Sequence, residues 1–227
     1  ILSDLELTDH ASQSIYNCVE GITSLCGYTA IRAYGGWYNL VFRNLWIHGF
    51  ANRGFLFGGQ VGGTDHVLTL ENVIIDKNFM AGYDLDTCGG GSTCGYHGTM
   101  AFTNVDVTYN GCTEVYPLTG DTTSKEGDLV ASGCRDQNHG GYGDGFGTIP
   151  TGGNWNFTGC NFSHNTSDGL DMLSLNWRTD LYGAGSLTFK KGMAEGHVGN
   201  AIKGPNSMTV EDSILISNCG YFYGKTF

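Results

Sequence analysis

Residues 68–75 are LTLENVII, which combines two alternating apolar positions, a turn-prone residue and a second short strand. Five further segments fit the same template: LVFRNLWI at 40–47, MAFTNVDV at 100–107, WNFTGCNF at 155–162, LTFKKGMA at 187–194 and MTVEDSIL at 208–215. Apolar residues that alternate with a period of two are typical of strands with one buried face. Because the same strand unit recurs along the chain, the sequence predicts a repeat architecture.

A polar residue follows the second strand of the template at a constant interval, at positions Asn78, Asn110, Asn165, His197 and Asn218. Where no insertion intervenes, a third short strand follows, at 82–85, 169–172 and 201–203. The repeat length varies, as expected for a solenoid whose turns accept loops of different length. We therefore predict a right-handed parallel β-helix of about six or seven coils.

The composition agrees with an all-β chain. The sequence has 37 Gly and 3 Pro among 227 residues, and an interior glycine costs a helix about 1 kcal/mol relative to alanine. The competing architecture is an up-and-down barrel or sandwich, which would show hairpin turns, and only Asn110–Gly111 qualifies. We predict one domain over 1–227, which is either complete or a piece of a longer solenoid, with a loop insertion at 111–141.

The charge balance disfavours two classes of partner. Twenty-two acidic and eleven basic side chains leave a formal charge of −11, which repels nucleic acid and anionic membranes. The apolar runs are far shorter than the roughly 20 residues of a membrane span, so we expect no membrane insertion. The first residue is Ile1 and no leader follows it, as in a processed or trimmed chain.

Eight cysteines suggest an oxidising compartment, because no C-x-x-C metal pair occurs. Proximity suggests the pairs Cys18–Cys26, Cys88–Cys94 and Cys112–Cys134, and it leaves Cys160 and Cys219 as buried small apolar residues. Free thiols are the alternative. Three glycosylation sequons lie close together at Asn156, Asn161 and Asn165, which argues for a bacterial chain. We predict a secreted or extracellular bacterial protein.

Aligning the third strands places several polar residues in common columns. Neighbouring coils lie about 4.8 Å apart, so Asp144 lies next to Asp168, and Lys203 lies next to Asp171. The three carboxylates, with Ser167 and Asn200 nearby, then converge on one outer face. Carboxylates this close repel one another unless a cation binds, and oxygen ligands favour Ca²⁺. The alternative is that Asp and Asn before Gly only form turns.

Three strings resemble motifs of polysaccharide lyase family nine: GDGFG at 143–147, GNWNFTGCNFSHNTSDGLDM at 153–172 and GNAIKG at 199–204. In that family the motifs are approximately a D-G-F turn, a G-N-x-F-x-x-C segment leading to N-S-D-D-G-x-D, and a later G-N-G-x-K. The resemblance implies a parallel β-helix and a calcium-dependent lyase of the pectate-lyase type. All three strings lie within 143–204.

Carried over to this chain, the resemblance implies that Asp144, Asp168 and Asp171 bind calcium and that Lys203 is the catalytic base. Ser167 belongs to the same metal site but stands where the family usually has another Asp, which removes a charged ligand. The reaction would be β-elimination on a uronate polymer. The alternative role for Lys203 is an ion pair with Asp171 across neighbouring coils.

The partner that this chemistry implies is an acidic polysaccharide. Arg178, Lys190 and Lys191 are candidate substrate-binding residues, although a solvated surface charge is the alternative for each. Candidates for stacking on a sugar ring are Trp37, Trp46, Trp155 and Trp177, although Trp46 and Trp155 fall inside repeat strands, where packing is the alternative. Two rival functions stay open. One is a polygalacturonase-type hydrolase, which needs adjacent catalytic Asp residues that the chain lacks. The other is a non-catalytic β-helix adhesin, fibre subunit or glycan-binding protein, in which the solenoid ends support self-association.

Overall fold

The protein is all-β, with parallel pairing throughout its two large sheets. The computed structural model describes residues 1–8, 29–33, 39–50, 52–58, 66–78, 81–85, 95–111, 143–165, 167–197 and 199–216, and the backbone of 221–222 and 225–226. One short helix, α1 (Thr179–Tyr182), is present in this part of the chain. No helix in these ranges has the length and apolarity needed to cross a membrane.

The first sheet has ten strands. They are β1 (Leu2–Thr8), β3 (Asn39–His48), β5 (His66–Asp76), β7 (Gly98–Thr108), β9 (Asn154–Thr158), β10 (Asn161–Ser163), β12 (Ser186–Lys190), β13 (Met193–Glu195), β15 (Met208–Glu211) and β16 (Ile214–Ile216). The strand order is β1-β3-β5-β7-β10-β13-β16, while β9 joins β7 to β12 and β12 pairs with β15.

The second sheet has six strands. They are β2 (Thr29–Ala33), β4 (Arg53–Phe57), β6 (Ala81–Leu85), β8 (Phe146–Thr148), β11 (Leu170–Asp171) and β14 (Ile202–Lys203), and they follow one another in chain order across the sheet. A separate antiparallel pair joins β17 (Tyr221–Phe222) to β18 (Lys225–Thr226). The chain therefore passes back and forth between the two large sheets and adds each new strand beside the previous one.

The repeat template corresponds to the register of the first sheet. Leu68 pairs with Leu40 on one side and with Met100 on the other. Trp155 continues the same row next to Met100, and Leu187 follows Trp155. The predicted alignment of the template segments is confirmed here. An up-and-down barrel or sandwich would need antiparallel neighbours, and the two large sheets have none in the described ranges.

The core consists of rows of buried side chains, in which each side chain stacks on its equivalent from the neighbouring strand. Tyr83 and Phe146 are neighbours in the second sheet, and their rings stack with centroids 4.0 Å apart. Phe102 and Phe157 stack in the same way in the first sheet, at 4.6 Å. Parallel neighbours about 4.8 Å apart bring equivalent rings to stacking distance. Aromatic residues at equivalent positions of successive repeats therefore stack on one another.

A buried ladder of side chains links consecutive repeats. The side-chain oxygen of Asn110 accepts hydrogen bonds from the backbone N–H and the side-chain amide of Asn78, at 3.1 and 3.0 Å. Asn110 in turn donates to the side-chain oxygen of Asn165, and the backbone N–H of Asn165 donates to Nδ1 of His197 at 3.2 Å. The polar residue that recurs in the template is therefore a structural hydrogen-bonding position.

A column of glycines makes room for this ladder. A side chain at Gly82 would collide with Val107 and with the carbonyl oxygen of Gly145, and a side chain at Gly145 would collide with the amide of Asn165. Because the strands of the second sheet approach the ladder this closely, only a residue without Cβ fits at these positions.

The turn inside the template also repeats. Asn44, Asn72 and Asn104 have φ of 52°, 53° and 52°, the left-handed region that asparagine tolerates better than most residues. Their side chains form an exposed ladder, in which Asn104 donates to Asn72 and Asn72 donates to Asn44, both at 3.2 Å. This ladder fixes the bend between the two halves of each long strand.

Some expectations lie outside the described residues. They are the three proposed disulfide pairs, Cys219, and all of the 111–141 insertion beyond Gly111. Cys160 is described and is a buried free thiol, with Sγ 3.4 Å from the carbonyl oxygen of Phe102. Burial raises the pKa of this thiol to about 12, so Cys160 is a small buried apolar residue as predicted.

Candidate metal centre

Three adjacent strands of the second sheet position the predicted site. β11 lies between β8 and β14, and Asp171 pairs with Gly147 on one side and with Lys203 on the other. The backbone N–H of Gly145 donates to the carbonyl oxygen of Asp168 at 2.8 Å, so the segments that precede these strands are in the same register. The predicted columns are therefore confirmed.

The side chains of Asp144, Asp168 and Asp171 form one cluster. One carboxylate oxygen from each lies within 4.8 Å of the others. Asp144 is 3% exposed and Asp168 is 2% exposed, whereas Asp171 is partly exposed. The cluster therefore has two buried carboxylates with a third at its solvent side.

Backbone and amide groups orient the two buried carboxylates. Oδ1 of Asp144 accepts a 3.0 Å hydrogen bond from the backbone N–H of Asp168. Oδ1 of Asp168 accepts hydrogen bonds from the backbone N–H and the side-chain amide of Asn200, the second at 2.9 Å. In each case a residue just before one strand fixes the carboxylate that lies just before the preceding strand of the sheet. These hydrogen bonds hold the carboxylate oxygens in place without a ligand.

The surroundings of Asp144 disfavour its charged form unless a proton or a cation offsets the neighbouring carboxylates. Burial and the neighbouring charges of Asp168 and Asp171 raise the pKa of Asp144 well above its usual range. Hydrogen bonds from the Asp168 backbone and from the Ser167 side chain oppose this rise. No basic side chain in the described ranges lies within ion-pair distance of the Asp144 carboxylate. The hydrogen bond from Ser167 places its side chain beside Asp144, and its role as a metal ligand stays a prediction.

Lys203 supplies a positive charge to the other two carboxylates. Its Nζ lies 3.0 Å from Oδ2 of Asp171 and also contacts Oδ2 of Asp168. Partial burial of Lys203 opposes the charged form, but the hydrogen bonds and charges of Asp168 and Asp171 outweigh it, so the pKa of the ammonium is raised. The ion pair that the sequence offered as the alternative role of Lys203 is therefore present.

The oxygens fit a calcium ion. Ca²⁺ binds oxygen ligands at about 2.3–2.6 Å, so two oxygens of one coordination sphere lie at most about 5 Å apart. The 4.8 Å limit for Asp144, Asp168 and Asp171 meets this condition. Carboxylates also favour Ca²⁺ over the softer transition metals. The three Asp residues are the residues that would hold the ion.

Gly147 is a part of the site that the sequence did not single out. It lies between Asp84 and Asp171 in the row that faces outward. A Cβ at this position would lie 3.2 Å from Oδ2 of Asp144. The absence of a side chain therefore leaves space for the Asp144 carboxylate between two strands. The signal available in the sequence was a glycine aligned between two aspartates, Asp84 and Asp171.

The candidate substrate-binding residues do not join the cluster. Arg178 precedes α1 and forms two 3.0 Å hydrogen bonds with Asp180. Lys190 ends β12 in the other large sheet and is ion-paired with Glu211. Lys191 follows it as an exposed residue with φ of 52°. Their role in binding substrate stays a prediction.

No protein-family model, curated protein or solved structure matches this chain. The resemblance to polysaccharide lyase family nine therefore rests on the three sequence motifs alone and stays a prediction.

Proposed function

We propose that the protein is a secreted calcium-dependent polysaccharide lyase that cleaves a uronate polymer by β-elimination. The observation that carries the proposal is the position of Lys203, whose amine lies 3.0 Å from Asp171 at the edge of the three-carboxylate cluster. A basic nitrogen beside a cation site suits a reaction in which a proton leaves the carbon next to a carboxylate.

The scaffold in this proposal is a right-handed parallel β-helix. Two observations support it: the chain alternates between two parallel sheets, and equivalent residues of successive repeats lie side by side in both. Connections between parallel strands are right-handed in nearly all known cases. A surface row on such a scaffold is straight and long enough to follow an extended polymer.

In the reaction, the neutral amine of Lys203 takes the proton from C5 of a uronate residue. The electron pair of that C–H bond forms the C4–C5 double bond, and the bond from C4 to the glycosidic oxygen breaks. The oxygen leaves with the next sugar and takes a proton from water, and the hydroxide so formed takes back the proton that Lys203 received, so atoms and charge balance. A positioned base of this kind typically contributes about 10²–10⁴-fold to the rate.

Lys203 must lose its own proton before it can act. The carboxylates of Asp168 and Asp171 hold the pKa of Lys203 above its usual range in the metal-free protein, so the amine stays charged. Calcium, when bound by the Asp residues, supplies positive charge that offsets these carboxylates and neutralises the carboxylate of the substrate. The rate is then expected to rise with pH as Lys203 deprotonates.

The decisive experiment compares Lys203→Arg with the unchanged protein. Arginine preserves a cation beside Asp168 and Asp171, but it is not deprotonated near neutral pH and cannot serve as a base. We expect the variant to fold and to bind Ca²⁺ while losing at least about 100-fold in elimination rate. The assay is the ultraviolet absorbance of the unsaturated product from pectate, alginate and glucuronate-containing polymers, with Ca²⁺ and with a chelator.

The second candidate is a non-catalytic β-helix protein, such as an adhesin, fibre subunit or glycan-binding protein. The ion pairs of Lys203 with Asp168 and Asp171 favour it, because they balance charge without any metal. If the unchanged protein eliminates no uronate polymer in the presence of Ca²⁺, Lys203 is structural and this second function replaces the first.

A further inference from the structure

A groove opens beside the carboxylate cluster where β11 and β14 end. It has a volume of about 380 Å³, which lies in the range of small-molecule sites. Leu173 begins one wall two residues after Asp171, and Gly204 begins the other wall directly after Lys203. Both walls of the groove therefore begin within two residues of the candidate site along the chain.

Trp177 forms the most exposed part of the groove. It is 62% exposed, although a buried environment suits so large an apolar ring better. The backbone N–H of Trp177 donates to the carbonyl oxygen of Ser174 at 3.3 Å, which folds residues 174–177 into a turn. The indole is thus presented to solvent from an ordered position.

Asn176 ties the two walls of the groove together. Its side-chain oxygen accepts a 2.6 Å hydrogen bond from the backbone N–H of Gly185, and its side-chain amide donates to the Gly185 carbonyl oxygen at 2.9 Å. The same amide donates to Oγ of Ser207 at 3.3 Å. Because three separate segments meet at Asn176, the groove is built before a ligand arrives.

We propose that this groove binds one pyranose ring of the polysaccharide, stacked on the indole of Trp177. The proposal rests on the proposed function, since a polymer held at Lys203 must continue over the surface beside it. A pyranose presents C–H groups on its faces and hydroxyl groups at its edge. The indole matches the face, and the exposed side-chain amide of Asn206 offers hydrogen bonds to the edge.

Stacking, rather than charge, provides the recognition in this groove. Arg178 adjoins Trp177, but Nε and Nη2 of its guanidinium donate to the two carboxylate oxygens of Asp180. Ion pairing with a substrate carboxylate weakens in salt, whereas stacking on an apolar ring is far less sensitive. The contribution of Trp177 to binding is therefore expected to be the same at low and at high ionic strength.

The test measures binding and turnover separately. Calcium-loaded Lys203→Arg protein, in which elimination is expected to be at least about 100-fold slower, is titrated calorimetrically with hexamers of galacturonate, of mannuronate, of guluronate and of a glucuronate-containing polysaccharide. Adding Trp177→Ala is expected to weaken binding about tenfold, equivalent to about 1.4 kcal/mol, at both ionic strengths. Trp177→Phe preserves a stacking ring and should stay within about threefold. Trp46→Ala removes another exposed indole, on the ten-stranded sheet, and should change nothing.

The outcomes separate the two proposals. Binding that Trp177→Ala leaves unchanged overturns the groove proposal while the lyase proposal stands. Binding that Trp177→Ala weakens, in a protein that shows no elimination, supports the groove proposal and overturns the lyase proposal. Failure of every hexamer to bind overturns both. In an active protein, Trp177→Ala with Lys203 retained should raise KM and leave kcat within about twofold.

Discussion

The backbone N–H of Asp168 donates a 3.0 Å hydrogen bond to Oδ1 of Asp144 on the neighbouring repeat. This bond holds a buried carboxylate against a second one, because Asp168 is itself 2% exposed. Two charged carboxylates in such a place are stable only when a proton or a cation offsets their repulsion. If calcium binds this cluster as proposed, its binding and the stability of the scaffold are expected to be coupled through Asp144.

Asp144→Asn is expected to stabilise the metal-free protein and to abolish its response to calcium. The pKa of Asp144 is raised, so the stability it contributes is complete below its unfolded value of 3.8 and is lost as pH rises through the folded pKa. At pH 8 the uncharged amide should therefore increase the free energy of unfolding by about 1 kcal/mol in chelator. Urea denaturation with chelator and with Ca²⁺ measures both effects.

Asp84→Asn is the matched control for that experiment. Asp84 is ion-paired with the buried Arg53 at 2.5 Å, so its loss should destabilise the protein by about 3 kcal/mol with or without Ca²⁺. If Asp144→Asn is instead less stable than the unchanged protein in chelator at pH 8, the carboxylate itself supports the fold.

Ser167→Asp is expected to tighten calcium binding by about tenfold. The side chain of Ser167 already reaches Asp144, and a fourth carboxylate adds negative charge to an oxygen site. Calorimetric titration with Ca²⁺ at pH 8 measures the change. Ser167→Ala should show no gain, because it removes the hydrogen bond without adding charge. An unchanged affinity in Ser167→Asp would place residue 167 outside the coordination sphere.

His197→Asn is expected to make the protein less sensitive to acid. Nδ1 of His197 accepts a hydrogen bond from Asn165, and Nε2 donates to the carbonyl oxygen of Phe162, an arrangement of the neutral ring. Burial lowers the pKa of His197 below 6.5. Its stabilising contribution is therefore complete above pH 6.5 and lost as pH falls through the folded pKa.

The measurement compares the free energy of unfolding of both proteins between pH 7 and pH 5 in chelator. In the unchanged protein, the part of the pH dependence that is due to His197 should approach about 1.4 kcal/mol of unfolding free energy per pH unit. This part should be missing from the variant. Asparagine is the natural replacement, since it occupies the equivalent position at Asn165. Identical slopes would show that other groups cause the acid sensitivity.

Asn110→Ala is expected to destabilise the protein by about 3 kcal/mol, because it leaves buried partners unsatisfied. Asn110 bridges Asn78 and Asn165 and also donates to the carbonyl oxygen of Ile75 at 2.9 Å. Asn72→Gly is the control. It removes one hydrogen-bonding side chain from the exposed asparagine ladder, and glycine tolerates the φ of 53° at this position. It should cost at most about 0.5 kcal/mol. Equal losses in thermal or urea unfolding would contradict the structural role of the buried ladder.

The register of both sheets could be predicted because equivalent positions of the sequence repeat pair with one another. Once Leu68 is aligned with Met100, the period-two alternation leaves a single register that buries both residues. The same alignment placed Lys203 next to Asp171, and that neighbourhood is confirmed. The exposed position of Trp177 and the groove beside it follow no repeat, so the alignment of columns could not place them.

The sequence by itself determined which residues share a column, because parallel strands convert equal positions in a repeat into neighbours about 4.8 Å apart. Only the tertiary structure decided what those neighbours do. Lys203 contacts two carboxylates and Asp144 contacts no cation in the described ranges, because side-chain reach and burial depend on how strands and turns pack in three dimensions. Arg178 likewise pairs with Asp180 and not with the cluster, since a local turn brings that acid closer.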